Sequence, residues 1–568
     1  MEKLPPPINF KGASEMPYCT VSVADMRWNA TGTWRYLRPG YVEQIPACEA
    51  SCPACEPIEK WITHLESGDV QKAWEILTAE NPFPGLMGRV CFHPCERGCN
   101  RKDNGGAVAI NMLERHLADS FGYNNGHVKP WKTPTGKKIA VAGSGPAGLS
   151  CAYFLAMLGH SVTVFEKNPK PGGLFRYGIP QYRLPKDILE KEIAKLFDLG
   201  IKFECGHTLS KADAANLIEK YDAVFAGLGA HNSRPLGVEG EKSDGVMSAL
   251  IFLEETQLKL ENNQETSHLL DGKNVTVVGG GNSAIDASRM ALKLGAKSVK
   301  IIYRRSHAEM PAFEDEINAA EKEGVSIEFL TAPKKVITEK GKAISLECQR
   351  MKLGNPDASG RRSPIPVSGT EHIIKTDLIL TAIGETADAG LIPSENPKFF
   401  TGGDMLEQPR TVVNAIGSGK LAAIKIDCLL HGKNFDAVFE KIRIPETNYV
   451  RMAKYIADGS ALHPNTALKN KIAKSEHLNR YYFDSSAPAA ESPLTKESAK
   501  TQIERCMHCG CCTKCDNCFI YCPDVAVLKV KDTGYDFDYN FCKGCGVCVK
   551  ECPRAAMEMI EEPTCKKF

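Results

Sequence analysis

The cysteines near the C-terminus have the spacing of iron–sulfur ligands. A run with the pattern C-x2-C-x2-C-x3-C-P occurs twice, first as Cys512, Cys515, Cys518 and Cys522 and then as Cys542, Cys545, Cys548 and Cys552. Where two such runs occur together, three cysteines of each bind one 4Fe–4S cluster and the fourth binds the other cluster. The sequence therefore predicts one cluster on Cys512, Cys515, Cys518 and Cys552, and a second on Cys542, Cys545, Cys548 and Cys522. Cys506 and Cys509 precede the first run, so its ligand register stays open, whereas Cys511 and Cys565 are interpreted as spare thiols.

A second set of thiols occurs near the N-terminus. Six cysteines form two tight groups, Cys48, Cys52 and Cys55 followed by Cys91, Cys95 and Cys99. Soft thiolates suit zinc or iron–sulfur clusters, and these spacings are not those of a zinc ribbon, so they favour an iron–sulfur site. Glu114, in the helical stretch that follows, is either a further ligand or a solvated helix residue. Cys19 stands alone and is interpreted as a buried or incidental thiol.

The composition limits the class of protein. The chain has 568 residues, 70 Lys and Arg against 69 Asp and Glu, and 23 cysteines. Such a length predicts several domains, and the balanced charge gives no reason to expect nucleic acid as a partner. No apolar run reaches the roughly 18 residues of a membrane span, and the N-terminus shows no secretory signal. Clumped cysteines in an unsignalled chain are typical of a reducing compartment, which predicts a cytoplasmic protein.

The stretch 137–167 predicts a dinucleotide-binding unit. It reads as strand, glycine turn, helix and strand, with Gly143, Gly145 and Gly148 forming G-x-G-x-x-G and Glu166 ending the second strand. Such glycines allow a tight turn, close approach of a pyrophosphate and close packing of the helix on the strand. A carboxylate about 20 residues further on accepts hydrogen bonds from ribose hydroxyls. This unit fits the adenosine of FAD.

The pattern repeats from Lys273 with a different ending. The second unit contains G-x-G-x-x-A at Gly279, Gly281 and Ala284, and its second strand ends in Arg304 and Arg305. An arginine suits a 2′-phosphate because it is a fixed cation with fork geometry, so the second unit fits NADPH better than NADH. Two arginines after a strand are alternatively a solvated strand end, which leaves NAD open.

The segments between and after these units contain further candidate cofactor contacts. Gly173 and Leu174 lie in a glycine- and proline-rich loop that follows the first unit, and a buried strand ends at Gly384. Gly403 and Asp404 follow another strand, where the aspartate can bond a ribityl hydroxyl. A helix beginning near Thr411 and Val412 directs its N-terminus at the flavin, where it stabilises negative charge.

Together these motifs resemble the glutamate synthase small-subunit family of FAD and iron–sulfur NAD(P)H oxidoreductases. The resemblance covers residues of about 48 to 432 and is carried by GRVCFHPCERGCNR, AGSGPAGLSCA, PGGLFRYGIPQYRLP, GGGNSAIDASR, YRRSHAEMPA, TAIG and GGD…TVVNAI. The resemblance implies that flavin-binding positions are Gly143, Gly145, Ala147, Gly148, Glu166, Gly173, Asp404 and Thr411. It implies that nicotinamide-nucleotide positions are Gly281, Asn282, Ser283, Arg304 and Arg305.

The chain departs from this family at both ends. Members with two N-terminal clusters carry a cysteine pair upstream of the position of Cys48, and here there is none, whereas Cys55 is extra. We therefore expect one N-terminal 4Fe–4S cluster, drawn from Cys52, Cys91, Cys95 and Cys99 or Glu114, with a second cluster left open. Cys48 is also a candidate metal ligand. The C-terminal ferredoxin runs are the other departure, and they put glutamate synthesis itself in doubt.

The expected fold class is α/β with added iron–sulfur domains. We expect a helical iron–sulfur domain at 1–130, an FAD domain at 135–240 and 375–435 interrupted by an NAD(P) domain at 241–374, a helical segment and linker at 436–500, and an α+β ferredoxin-like domain at 501–568. The expected function is electron transfer between NAD(P)H and 4Fe–4S clusters through FAD, with no catalytic acid or base. The expected partner is a catalytic oxidoreductase subunit or a ferredoxin in a hetero-oligomer. The alternative is a self-contained glutamate synthase-like oxidoreductase, although no stretch remains for a further barrel domain.

Overall fold

The computed structural model describes residues 11–15, 30–357, 360–388, 390, 396–406, 409–457, 472–473, 493–530 and 534–562. The chain divides into two compact units, which we call the nucleotide unit (Asn81–Phe92 and Ala118–Lys441) and the iron–sulfur unit (Met1–Glu80, His93–Leu117 and Ile442–Phe568). Cys19, Cys565 and residues 485–492 of the predicted linker lie outside the described residues. No helix in the described ranges is both long enough and apolar enough to cross a membrane.

The nucleotide unit contains two parallel five-stranded sheets. The first sheet has the strand order Phe399–Thr401, Ala223–Ala226, Lys138–Ala142, Ser161–Glu166, Lys202–Cys205. Its central strands are buried along almost their whole length, as expected for a parallel sheet covered on both faces. The helix Pro146–Met157 is apolar all round because it lies between this sheet and the helix Val412–Leu430. A methyl group on Gly419 would lie 2.3 Å from the carbonyl oxygen of Ala147, so the two helices approach closely.

The second sheet corrects one expected domain boundary. Its strand order is Ser326–Phe329, Ser298–Tyr303, Asn274–Val278, Leu378–Thr381, Val246–Ser248. Leu378–Thr381 was expected in the FAD domain, but it pairs in parallel with both neighbours in the second sheet. The chain therefore returns to the first sheet only after Glu385–Thr386, which pairs with the outgoing segment Asn232–Ser233.

A four-stranded antiparallel sheet, which the sequence analysis did not predict, follows the second sheet. Its strands are Thr331–Glu339, Lys342–Pro356, Arg362–Pro366 and His372–Lys375. Val336, Leu346 and Ile374 from this sheet form one apolar cluster with residues of the second parallel sheet. Its role in the unit is therefore to cover that sheet. The remaining helices of the nucleotide unit are Pro84–Val90, Tyr123–Asn125, Leu174–Tyr177, Lys186–Asp198, Lys211–Lys220, Ala249–Glu261, Asn282–Lys293, Glu314–Glu323 and Phe435–Ile442, which ends at the unit boundary.

The iron–sulfur unit combines helices and short strands from both ends of the chain. Its helices are Ala47–Ala50, Ile58–Glu66, Val70–Thr78, Pro94–Gly98, Ile110–Leu117, Met452–Ile456, Lys496–Glu504, Asn517–Ile520 and Val547–Lys550. Its strand pairs are Leu37–Tyr41 with Met557–Glu561, Val527–Val530 with Gly534–Phe537, and Ile45–Pro46 with Ile472–Ala473. The N-terminal arm therefore contributes a strand to the ferredoxin region, so residues 501–568 do not form a separate domain.

Candidate functional site

The first glycine loop holds the carboxylate of Glu166. One carboxylate oxygen of Glu166 accepts hydrogen bonds from the backbone N–H of Ser144 at 3.0 Å and from its hydroxyl at 2.5 Å. The other oxygen accepts one from the N–H of Asn168 at 2.9 Å. Glu166 is buried, so these bonds fix its orientation at the end of the strand, beside the glycine turn.

Some glycines in and near this loop are required by close packing of the protein, whereas Gly145 faces open space. A methyl group on Gly148 would lie 1.8 Å from the carbonyl oxygen of Gly143, and one on Gly173 would lie 2.5 Å from the Cα of Gly145. Both positions must be glycine because of protein packing. Gly145 immediately precedes the helix Pro146–Met157, and a methyl group on Gly145 would meet no heavy atom within 4 Å. The space beside this helix N-terminus is suited to a pyrophosphate.

The second glycine loop repeats this arrangement. A methyl group on Gly279 would lie 2.2 Å from the carbonyl oxygen of Ala382, whereas one on Gly281 would meet no heavy atom within 4 Å. Gly281 immediately precedes the helix Asn282–Lys293. The amide oxygen of Asn282 accepts a hydrogen bond from the N–H of Phe313 at 3.2 Å. This loop is therefore also open at the N-terminus of its helix.

One cleft brings the two loops together. Its cavity volume is about 450 Å³, within the usual range for small-molecule sites. Predicted residues that line it are Gly143, Gly145, Ala147, Glu166, Gly173, Leu174, Asn282, Ser283, Gly403, Asp404, Thr411 and Val412. Gly384 is not among the lining residues; its carbonyl accepts a hydrogen bond from the N–H of Arg234 at 3.0 Å in the crossover between the sheets.

Two polar side-chain atoms at this cleft are buried but not hydrogen-bonded. Asp404 Oδ1 and His231 Nδ1 are buried and have no hydrogen-bond partner among the described residues. Buried polar atoms in proteins are nearly always bonded, so these two fit a bound polar ligand. Burial raises the pKa of Asp404, although Arg410 opposes the shift, and burial lowers the pKa of His231.

Within the nucleotide unit, a buried ion pair links the loop after the first glycine motif to the helix Asn282–Lys293, which follows the second glycine motif. Arg183 Nη1 lies 2.6 Å from Asp286 Oδ2, and the Tyr182 hydroxyl donates to Asp286 Oδ1 at 3.3 Å. Burial raises the pKa of Asp286 to about 6 against the opposing effect of Arg183. Arg183 and Asp286 both line the cleft, so this pair helps to fix the spacing between the two glycine loops.

The two arginines at the end of the second unit differ in their surroundings. Arg304 is exposed. Arg305 is buried, pairs with Asp357 at 2.5 Å and donates to the carbonyl of Arg362 at 2.8 Å. The expectation that both arginines face a nucleotide phosphate is therefore corrected, because the guanidinium of Arg305 is already engaged with protein groups.

The ferredoxin cysteines come together in the two predicted sets. Cys522, Cys542, Cys545 and Cys548 line a cavity of about 10 Å³. In the other set, burial raises the pKa of the Cys518 thiol, and Cys512, Cys552 and Cys515 lie close enough to raise it further. The Tyr41 hydroxyl lies 3.1 Å from Cys518 Sγ, so the N-terminal arm contacts this set.

The N-terminal cysteines differ in burial and surroundings. Cys52, Cys95 and Cys99 are buried, Cys48 is half-buried, and Cys55 packs in an apolar cluster with Ile45 and Ile444. Glu114 is buried, so it is not the solvated helix residue of the alternative interpretation. Cys91 is half-buried in the nucleotide unit, and its part in a cluster remains a prediction.

Sequence comparisons identify the parts of the chain. The pyridine nucleotide-disulphide oxidoreductase family matches residues 137–403, and dihydropyrimidine dehydrogenase domain II, 4Fe-4S cluster, matches residues 43–125. The 4Fe-4S binding domain family matches residues 535–558, which contain the second ferredoxin run. The chain therefore carries a nucleotide-binding oxidoreductase domain between two iron–sulfur regions.

Similar proteins share much of this arrangement. The glutamate synthase [NADPH] small chain of Escherichia coli is 34% identical over 416 residues, which cover 66% of this chain and 87% of the relative. The chain belongs to the glutamate synthase small-subunit family. Among other relatives, the NADP(+)-dependent formate dehydrogenase subunit beta of Moorella thermoacetica is 38% identical, covering 67% of this chain and 59% of the relative. The NADPH-Fe(3+) oxidoreductase subunit beta of Geobacter sulfurreducens is 39% identical, and the match covers 61% of this chain and 52% of the relative. The chain thus spans between half and two thirds of these two relatives.

Some cleft residues of this family member were not predicted from its sequence. His231, Arg183 and Asp286 line the cleft. Arg183 and Asp286 lie within the motifs PGGLFRYGIPQYRLP and GGGNSAIDASR, but neither was predicted as a site residue, and His231 lies in no motif. His231 follows the strand Ala223–Ala226, and the carboxyl ends of parallel strands are where ligands bind in such sheets, so its position was the available signal. The pairing of Arg183 with Asp286 joins residues far apart in the sequence and had no such signal.

Proposed function

We propose that this member of the glutamate synthase small-subunit family transfers electrons between NADPH and 4Fe–4S clusters through FAD. The observation that carries the proposal is one cleft lined by the first glycine loop and by Asn282 and Ser283, which follow the second glycine loop, because it allows two dinucleotides to meet inside one unit. Flavin supplies the chemistry that joins a two-electron donor to one-electron acceptors.

The first loop and its neighbours are suited to FAD. Glu166 is positioned for ribose hydroxyls, and the space beside Gly145 is suited to the pyrophosphate. Asp404 offers an unbonded buried oxygen for a ribityl hydroxyl. Thr411 caps the helix Val412–Leu430, whose N-terminus faces the cleft and favours negative charge there.

The second loop is suited to the nicotinamide nucleotide. Asn282 and Ser283 begin the helix after Gly281 and line the cleft, so their backbone N–H groups are positioned for a pyrophosphate. Arg304 is exposed at the end of the second strand of this unit, where a 2′-phosphate is recognised in such folds. These features favour NADPH over NADH.

The overall reaction needs no acid or base from the protein. Oxidation of NADPH to NADP⁺ releases two electrons and one proton, and two clusters held by the cysteines would each take up one of these electrons. The protein holds the two dinucleotides in place, and its cysteines hold the clusters. We propose two clusters in the ferredoxin region and one on the N-terminal cysteines.

The ferredoxin region is the proposed exit for electrons. Two similar proteins are named as beta subunits of a formate dehydrogenase and of an NADPH-Fe(3+) oxidoreductase. By analogy we propose that this chain serves a catalytic oxidoreductase subunit, or a free ferredoxin, in the cytoplasm. A second candidate is glutamate synthase-like activity, which is favoured by the 87% coverage of the E. coli small chain.

Anaerobic reduction of the full chain tests this proposal. The protein is purified without oxygen, its flavin and iron are counted, and bleaching of both chromophores is followed with NADPH and with NADH. We expect one FAD per chain, at least about twelve irons, and faster bleaching with NADPH. Bleaching of neither chromophore would refute the proposal, and faster bleaching with NADH would refute the assignment of Arg304. Glutamate formation by the chain with only glutamine, oxoglutarate and NADPH added would favour the second candidate.

A further inference from the structure

Four cysteines from opposite ends of the chain line one small cavity in the iron–sulfur unit. Its volume is about 30 Å³, and the cysteines are Cys48, Cys99, Cys506 and Cys509. Ile58, Ile62, Val108 and Ile110 provide an apolar wall. We propose that these four thiolates hold an additional 4Fe–4S cluster, beyond the three clusters of the proposed function.

The segment with Cys506 and Cys509 is fixed against the N-terminal helices by hydrogen bonds. Arg505 donates to the backbone carbonyls of Gly105 at 2.5 Å and Gly106 at 2.8 Å. The side-chain oxygen of Gln502 accepts a hydrogen bond from the N–H of Ala109 at 3.1 Å. Because Gln502 and Arg505 lie just before Cys506, these bonds hold the segment that carries Cys506 against residues 105–109.

A histidine between the two cysteines contacts a neighbouring helix. His508 Nδ1 lies 3.1 Å from Glu59 Oε1, and its Nε2 lies 3.2 Å from Glu66 Oε2. Both glutamates belong to the helix Ile58–Glu66, which also lines the cavity through Ile58 and Ile62. This contact holds the turn between Cys506 and Cys509 with both thiols at the cavity.

The backbone of the turn is shaped for this position. His508 has φ of 46° and Gly510 has φ of 83°, so the chain reverses within a few residues. A methyl group on Gly510 would lie 2.2 Å from the carbonyl oxygen of Gln44, and the Gln44 N–H donates to the Gly510 carbonyl at 3.0 Å. The close approach to residue 44 brings Cys506 and Cys509 near Cys48.

The arrangement fits an iron–sulfur cluster better than a zinc ion. Tetrahedral zinc with Zn–S bonds of about 2.3 Å places its sulfurs about 3.8 Å apart. In the described part of the chain, only His160, Asp427 and His431 bring three ligand atoms within 4.8 Å of one another, so no three of these four thiols are that close together. No three of the described ferredoxin cysteines are that close together either. The cavity that one of their sets lines, about 10 Å³, is smaller than the cavity proposed here. A cube of four irons and four sulfides holds its thiolates further apart than one zinc ion does, because each thiolate binds a different iron.

The proposed cluster adjoins the ferredoxin clusters. Cys509 and Cys512 are three residues apart, so their Cα atoms are separated by at most about 11 Å. The new cluster therefore lies next to the cluster on Cys512, Cys515, Cys518 and Cys552. It also takes Cys99, so of the two alternatives named for the predicted N-terminal cluster, Cys99 and Glu114, the buried Glu114 remains.

Iron analysis of the full chain tests the proposal. Four clusters correspond to about sixteen irons per chain, and the double variant Cys506→Ser/Cys509→Ser is expected to hold about twelve. The integrated EPR intensity after dithionite reduction should fall by one cluster. The control is Cys511→Ser, because Cys511 lies in the same loop but donates to Glu59 Oε2 at 3.5 Å and does not line the cavity. This control should keep all sixteen irons.

Separate readouts distinguish this proposal from the proposed function. FAD content and reduction of the flavin by NADPH should be unchanged in the double variant, since both depend on the nucleotide unit. An iron content equal to that of the control would overturn the proposal, and so would the loss of one zinc in place of four irons. Alkylation of the native wild-type chain covers the case in which the variant does not fold: Cys506 and Cys509 should react only after the clusters are removed. Reaction of either thiol at full iron content would also overturn the proposal.

Discussion

Replacing Gly281 by alanine separates binding of the nicotinamide nucleotide from binding of the flavin. The backbone at Gly281 has φ of −91° and ψ of 175°, a conformation that alanine adopts without strain. The added methyl group would meet no protein atom within 4 Å. The substitution should therefore leave folding intact or increase stability by about 0.4–1 kcal/mol.

The cost should appear only when the nucleotide binds. The methyl group occupies the space in which a pyrophosphate approaches the backbone, so one charge-assisted N–H···phosphate bond is lost or lengthened. Such a bond contributes about 1.5–3 kcal/mol, which corresponds to a fall in NADPH affinity of about 10- to 150-fold. FAD content should not change, because the first loop is untouched.

The assay is stopped-flow bleaching of the flavin at increasing NADPH concentration, with thermal unfolding measured alongside. Gly145→Ala is the matched variant, since its methyl group also meets no protein atom within 4 Å and its backbone has φ of −71° and ψ of 179°. Gly145→Ala should lose FAD at an unchanged melting temperature of the apoprotein. The reasoning is refuted if Gly281→Ala loses FAD as Gly145→Ala does, or if its NADPH dependence matches that of the wild type.

Three further substitutions test particular residues. Arg304→Gln should raise KM for NADPH by about 10- to 150-fold with little effect on NADH, in line with a charged hydrogen bond of about 1.5–3 kcal/mol; an equal effect on both would contradict the assignment of a 2′-phosphate. Glu166→Gln should lower FAD affinity by a similar factor, measured by flavin retention on dilution, and full retention would contradict its role. Burial, with Arg176 nearby, lowers the pKa of Lys186 to about 7. The unfolded chain therefore binds more protons between about pH 7 and pH 10, and stability from this group should rise by about 2 kcal/mol from pH 7 to pH 9. In Lys186→Met, the melting temperature should no longer rise between pH 7 and pH 9 through this group. A variant whose melting temperature depends on pH as the wild type's does would contradict this assignment.

The sequence contained the information for the nucleotide loops because their signal is local. Gly143, Gly145 and Gly148 lie within six residues, and the strands on either side are short and mostly apolar. Gly143 and Gly145, Asn282 and Ser283 after the second loop, and Asp404 all line one cleft. The assignment of Leu378–Thr381 to the wrong sheet has a physical reason. Buried parallel strands share one apolar pattern, so their sequence does not tell which sheet they enter.

Contacts between distant parts of the chain account for the other differences. The partner of Arg305 is Asp357, in the antiparallel sheet that the sequence analysis did not anticipate. The strand Leu37–Tyr41 pairs with Met557–Glu561 at the other end of the chain. Cys506 and Cys509 precede the first ferredoxin run in the sequence, yet they line a cavity with Cys48 and Cys99. The sequence has no cysteine pair upstream of Cys48. No local pattern indicates that Cys506 and Cys509, from the C-terminal region, lie beside Cys48 instead of such a pair.

Reduction of the clusters with and without FAD tests the central claim most directly. The chain is depleted of flavin, kept anaerobic with its clusters intact, and mixed with NADPH before and after FAD is restored, while the EPR signals of the reduced clusters are recorded. If the cleft is where the nucleotide meets FAD, the cluster signals should appear only after FAD is restored, although dithionite reduces the clusters in both samples. Cluster signals that grow equally fast with NADPH in the flavin-free chain would contradict the account.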